Sequence, residues 1–261
     1  MPETHVNGVS LYYEEHGTGE PIVCLHGAGS SAAVWSEAVA DLAKHGRTIA
    51  YDRRGHSRSE RPEPYVTNVH EQADDAAALI DALDAAPAIV IGRSYGGAVA
   101  IDLALRYPDC VRALVLLEGD APSFSEEATS WIAAVTEQVL AAAEEDMSTV
   151  GETVITAVAG PGTWERLPQP LREILTGNGP ALVAEVRSGY PELTAAQLAT
   201  IDRPALLVAA EESLQPGFEE VTSAMAAAMP SARVAWVEGG HLIDPAHPLV
   251  LAFVDDVLAR A

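Results

Sequence analysis

Lysine is nearly missing from this sequence. Among 261 residues Lys44 is the single one. A Schiff-base mechanism, or a P-loop with its lysine, therefore has almost nothing to work with. Cysteine is scarce as well. Cys24 lies in the apolar run "PIVCLHG" and Cys110 follows "YPD". Neither spacing suits a zinc site, and both read as small core residues rather than a disulfide. Long apolar runs are absent, and none reaches the roughly 18 residues of a spanning helix. Positive charge is outnumbered: 15 Lys and Arg against 38 Asp and Glu leave a formal net charge of −23. Such a chain repels phosphate backbones and anionic lipid headgroups, so neither nucleic acid nor a membrane surface is the expected partner. The opening "MPETHVNGVS" has neither the charged start nor the apolar centre of a signal peptide, so the expected location is the cytoplasm. Hydrophobic residues at 48% are enough for a sizeable core. The length fits one large domain or a core with an insertion, and leaves room for a homo-oligomer.

What is present is an alternation. "VSLYYEE" alternates with a period of two and reads as an edge strand. "PIVCLHG", "GRTIAYD", "PAIVIG", "RALVLLEG", "PALLVAA" and "ARVAWVEGG" read as short buried strands. Helical patterns at 34–45, 70–86, 95–107, 216–229 and 248–259 lie between or after them. Ala76, Leu79, Ile80 and Leu83, for example, recur at spacings of three and four. Strand and helix in turn predict an α/β fold, a mostly parallel central sheet flanked by helices. From about 121 to 200 the strands stop and helical patterns broken by Pro and Gly take over. This predicts a core of residues 1–120 and 201–261 carrying an inserted all-helical cap at 121–200. In parallel sheets the chemistry sits beyond the carboxyl ends of the strands. Those ends carry His26, Asp52, Ser94, Glu118, Glu211 and His241.

The most informative stretch is "IVIGRSYGGAVAI", residues 89–101. Ser94 stands between Gly92 and Gly96 where a strand gives way to a helix. A turn this tight forces strained backbone angles on the serine and leaves no room for side chains at the flanking positions. Its Oγ is then exposed at the sheet's end, and the helix start offers free N–H groups. With "LHGAGS" at 25–30, "YDRRGHSRS" at 51–59, "GRSYGG" at 92–97 and "GGHLIDPAHP" at 239–248, the chain resembles the α/β-hydrolase superfamily. These match, in order, its His-Gly loop, its Asp-x-Arg-Gly-x-x-x-Ser turn, its nucleophile elbow and the loop bearing its base.

A serine hydroxyl needs a neighbour to take its proton, usually histidine. By the resemblance that is His241, just past "RVAWVEGG", while His26 shapes its loop and His56 belongs to a turn. His241, Asp244 and His247 also have the makings of a metal set, but "DP" reads more simply as an N-cap with proline opening the last helix. No metal and no cofactor are expected. The acid departs from the family pattern. The usual position, in "LLVAAEESLQP", holds Ser213. Some members of the superfamily carry the acid one strand earlier, where this chain has Glu118 in "LVLLEGDAP". Glu118 is the preferred acid, with Glu212, Glu211 and Asp120 as alternatives.

The resemblance gives the oxyanion hole to the backbone N–H of Tyr95 and of Gly27 or Ala28. The side chains of Arg93 and Tyr95 either flank the pocket or pack behind the elbow. Trp131 and Trp164, in the helical insert, are candidate pocket walls, with cap core as the other reading. The expected function is a serine hydrolase acting on a small uncharged carboxylic ester or lactone. "GPGTWERL" and the early glutamate also resemble small lactone hydrolases of the zearalenone-lactonase type. A C–C bond hydrolase or perhydrolase would use the same triad. A slow-turnover ligand receptor is the alternative of another class. Dehalogenases and epoxide hydrolases carry aspartate where this chain has Ser94.

Overall fold

The computed structural model describes residues 2–260. Eight strands among them form one sheet: β1 (Glu3–Val6), β2 (Val9–His16), β3 (Pro21–Leu25), β4 (Arg47–Tyr51), β5 (Ala88–Arg93), β6 (Val111–Leu117), β7 (Ala205–Ala210) and β8 (Ala232–Val237). Their spatial order is β1-β2-β4-β3-β5-β6-β7-β8. From β4 to β8 the neighbours run parallel, while β2 pairs antiparallel with both β1 and β4. "VSLYYEE" is therefore not the edge. The edge is β1, a stretch too short and too polar to stand out as a strand.

The middle strands are apolar throughout because both faces are covered. Along β5, Val90 joins one hydrophobic cluster while Ile89 and Ile91 join the other. The first cluster lies under helices α2 (Val69–Ala82), α3 (Tyr95–Arg106) and α10 (Phe218–Ala228). The second lies under α1 (Ser36–Leu42) and α11 (Pro248–Leu258). Burying each such aliphatic side chain is worth about 1.5–3 kcal/mol, so the alternation along one strand holds both layers.

Between β6 and β7 come α4 (Glu126–Glu145), α5 (Val150–Ala159), α6 (Thr163–Arg166), α7 (Gln169–Gly177), α8 (Gly179–Ser188) and α9 (Ala195–Leu198). The insert has its own apolar cluster, built on Val135, Val139, Val150, Val154, Leu182 and Val183. Two local expectations shift. The pattern at 34–45 splits into a 3-10 turn at Ala32–Trp35 and α1. The last helix opens at Pro248 with His247 as its cap. Asp244 instead closes the preceding turn, accepting from Ala246 N at 2.9 Å.

The chain order reverses at β3. From β3 it runs outward to β4 on one side, and β5 lies on the other. A crevice opens at such a switch point, and here it brings the loop after β3 against the turn after β5.

Candidate active site

Ser94 caps α3 with φ 51° and ψ −123°. A non-glycine residue held at positive φ is strained. Its neighbours leave the backbone no other path. A Cβ on Gly92 would run into the Gly96 carbonyl, and one on Gly96 into the carbonyl of Leu25. Arg93 points behind the elbow. Its guanidinium lies over the Trp35 ring at 5.4 Å and donates to the carbonyl of Ile243, tying the elbow to the 241–244 loop. Burial pulls the Arg93 guanidinium down to about 10.

Glu118 follows β6 with φ 43°, a second strained residue at a strand end. It is buried, and each of its oxygens is held. Oε1 accepts from Ala210 N at 3.0 Å. Oε2 accepts from Ser213 Oγ at 3.1 Å and lies 2.7 Å from His241 Nδ1. The serine standing where the family usually has its acid thus donates to the carboxylate one strand away. Gln215 Nε2 also lies 2.7 Å from His241 Nδ1. That nitrogen cannot donate to Glu118 and accept from an amide N–H at once. With the amide turned over, Gln215 Oε1 shares the same N–H. Glu211 and Glu212 both point to solvent.

Ser94 Oγ does not meet the imidazole in this conformation. It donates to Asp120 Oδ2 at 3.3 Å, and Tyr190 Oη donates to the same oxygen at 2.6 Å. Asp120 is buried, and burial pushes its carboxyl above the usual carboxylate range, with Tyr190, His241 and Ser94 pulling it back. Asp120 is therefore near both the serine and the imidazole, but it contacts the serine. The N–H groups of Ala28 and Tyr95 have no acceptor among the described residues. The Cα of Gly27 packs so close to Ser94 that a Cβ on it would lie 3.4 Å from the Ser94 Cβ. No group of three or more His, Cys, Asp and Glu among the described residues is arranged to hold a metal ion. In the 241–247 loop, His247 Nδ1 accepts from Leu249 N at 3.3 Å.

The alpha/beta hydrolase fold family model matches residues 20–160, more than half of the sequence. The chain belongs to that family. A 2-hydroxymuconate semialdehyde hydrolase of Pseudomonas sp. (strain CF600) is 36% identical over 120 residues, 45% of this chain and 42% of that protein. The chain spans under half the length of the curated relatives it matches. Solved structures align along nearly its whole length. An enol-lactonase from Burkholderia xenovorans LB400 has a TM-score of 0.76 at 25% identity, covering 99% of this chain and 98% of the other. A thermophilic esterase from Thermogutta terrifontis has a TM-score of 0.78 at 25% identity, covering 99% and 96%.

In this alpha/beta hydrolase a cavity of about 60 Å3 lies between sheet and insert. Ser94, Tyr95, Asp120, Ala28, Gln215 and Tyr190 line its floor, and Trp131 with Val135, Val154 and Leu182 form its apolar roof. Trp131 is thus a wall of the cavity. Trp164 is not: it lies half-buried on α6 and outside the lining. The cavity volume is smaller than the roughly 300 Å3 at which pockets for small ligands usually begin. No helix among the described residues is long and apolar enough to cross a membrane.

Three lining or supporting residues escaped the sequence reading: Tyr190, Gln215 and Glu185. Tyr190 and Glu185 lie in the insert, where no strand end marks a position, and Gln215 lies five residues past the end of β7. Glu185 is fully buried against Arg53, with Oε1 2.5 Å from its Nη1. Burial alone would raise the Glu185 carboxyl, but the Arg53 guanidinium and His56 outweigh it and hold it at about 2. His26 Nε2 accepts from Arg53 N at 3.0 Å, and His56 Nδ1 lies 2.9 Å from the Arg54 carbonyl. Both histidines serve the loops that carry them.

Proposed function

We propose that the protein is a serine hydrolase cleaving an uncharged carboxylic ester or lactone through an acyl-enzyme, with residues 121–200 acting as its cap. The observation that carries this reading is the 2.7 Å contact between Glu118 Oε2 and His241 Nδ1 beside the strained Ser94 turn. Glu118 holds the imidazole in the tautomer whose Nε2 is free to accept a proton. Ser94 swings about χ1 from Asp120 to that nitrogen and attacks the carbonyl carbon. The oxygen gains negative charge against the N–H groups of Tyr95 and Ala28. Collapse expels the alcohol, which takes the proton from His241. Water, deprotonated by His241, then releases the acid.

Two features support an uncharged substrate. The roof is apolar, and the floor carries the Asp120 carboxyl, which no Lys or Arg among the described residues pairs with, so an anionic substrate is disfavoured. The enol-lactonase and the esterase are similar over nearly the full chain. A second reading, C–C bond cleavage with the same residues, is favoured by the stretch shared with a hydrolase of a semialdehyde.

The test is a panel of lactones, aryl esters and a β-diketone-like substrate, run on wild type and Ser94→Ala. Ester or lactone turnover lost in Ser94→Ala supports the proposal. Cleavage of the diketone without ester turnover moves it to the second reading. Stoichiometric fluorophosphonate labelling without repeated turnover of any substrate favours a ligand receptor instead.

A further inference from the structure

Helix α8 presents one face to the loop that follows β3. Asn178, the residue before the helix, and Leu182 and Glu185 within it are spaced i, i+4 and i+7, one stripe of a helix. Each touches the loop. Asn178 Nδ2 donates to the carbonyls of Gly29 at 3.1 Å and Ser30 at 2.7 Å. Leu182 packs so tightly on Gly29 that a Cβ there would meet it at 3.1 Å. Glu185 Oε2 accepts from Gly29 N at 3.3 Å. The other Glu185 oxygen holds Arg53, whose Nε and Nη2 donate to the carbonyls of His26 at 3.0 Å and Gly27 at 2.9 Å. Ala28, between these anchors, packs against the apolar cluster of the insert.

The peptide unit bearing the free Ala28 N–H is therefore fixed from both sides by contacts that run to α8. The sheet supplies the elbow donor, Tyr95, but α8 holds the other. We infer that Glu185 is a positioning residue, by which the seated cap completes the oxyanion hole. It acts through Gly29 N directly and through Arg53. The inference rests on the serine hydrolase reading.

Glutamine at 185 keeps the volume of glutamate but turns an N–H toward either Arg53 or Gly29 N, so one anchor fails. The readout is the ratio of kcat/KM for p-nitrophenyl acetate to that for its thionoacetate counterpart. Sulfur accepts hydrogen bonds poorly, so the ratio reports the donors on the developing charge and not cap stability. In Glu185→Gln, kcat/KM for the oxygen ester is expected to fall about tenfold to a hundredfold, as when one oxyanion donor is weakened. The oxygen-to-sulfur ratio is expected to fall about tenfold with it. Leu175→Ala, buried on α7 against Gly151 and outside the cluster on which Ala28 packs, is expected to lower the melting temperature and leave the ratio unchanged. If Glu185→Gln does not fold, Glu185→Asp carries the same test, since it keeps the charge opposite Arg53 and withdraws the carboxylate from Gly29 N. A wild-type ratio in the folded variant overturns the inference, whatever happens to the rate. So does a ratio that falls equally in Leu175→Ala. If the wild type turns over no ester or lactone of the panel, the serine hydrolase reading fails and this inference with it.

Discussion

The loops after β6 and β7 carry nearly the same acidic residues and use them in opposite ways. After β6 come Glu118, Gly119 and Asp120, with both carboxylates buried. After β7 come Glu211, Glu212 and Ser213, and both glutamates face solvent while the serine turns inward to Glu118. What separates the loops is where unpaired donors converge. Ala210 N, Ser213 Oγ and His241 Nδ1 all point to one place, and Glu118 meets all three. A carboxylate can be buried there because its lone pairs are met. The position the family usually gives the acid has not simply been lost. The serine there donates to Glu118 at 3.1 Å.

The sharpest way to break this comparison is to neutralise one glutamate from each loop. Glu118→Gln is expected to lower kcat for the best ester of the panel by about 10^4-fold, as when a triad acid becomes its amide. Glu212→Gln, which touches nothing in the site, is expected to stay within about twofold of wild type. The reverse ranking would return the acid to the β7 loop.

A second experiment moves the acid back. Ser213 Oγ already lies 3.1 Å from Glu118 Oε2, and aspartate extends the side chain toward His241. Adding Ser213→Asp to Glu118→Gln is expected to restore about tenfold to a hundredfold of the lost kcat, since the imidazolium again faces a carboxylate. In the wild-type background the same change puts two carboxylates on one imidazole and is expected to slow the enzyme. No recovery in the double variant would mean that the backbone at Glu118, held at φ 43°, supplies something the β7 loop cannot.

The sequence made the core and its strand-end residues legible because period and position carry them. A buried run that stops at Glu118 or Ser94 marks both the strand and the group presented beyond it. It failed where neither device operates. β1 is four residues of mixed polarity and shows only through its pairing with β2. In the insert, Trp131 and Trp164 look alike as letters, and only packing distinguishes the one that faces Ser94's cavity from the one on α6. Glu185 reads as a solvated helix charge until Arg53, 132 residues earlier, is folded against it. The resting hydrogen bond from Ser94 to Asp120 was likewise invisible, because a motif records which residues meet and not which rotamer the hydroxyl adopts.

The smallest expected effect concerns the two buried acids within the β6 loop itself. Among the described residues Glu118 is held by three donors, and the Asp120 side chain by the hydroxyls of Tyr190 and Ser94. Burial therefore raises Asp120 above the ordinary carboxylate range despite those bonds. A carboxyl raised in the folded state binds its proton more tightly there than in the unfolded chain. Its contribution is then fully present below the unfolded value of about 3.9 and is lost as pH climbs through the raised one. At neutral pH the charge weighs against folding. Asp120→Asn keeps an acceptor for Tyr190 and removes the titration. Its melting temperature is expected to exceed wild type by about 2–4 °C at pH 7, with the difference closing toward pH 4. A lower melting temperature at pH 7 would show that Asp120 is held as firmly as Glu118, and that the contrast within the loop does not exist.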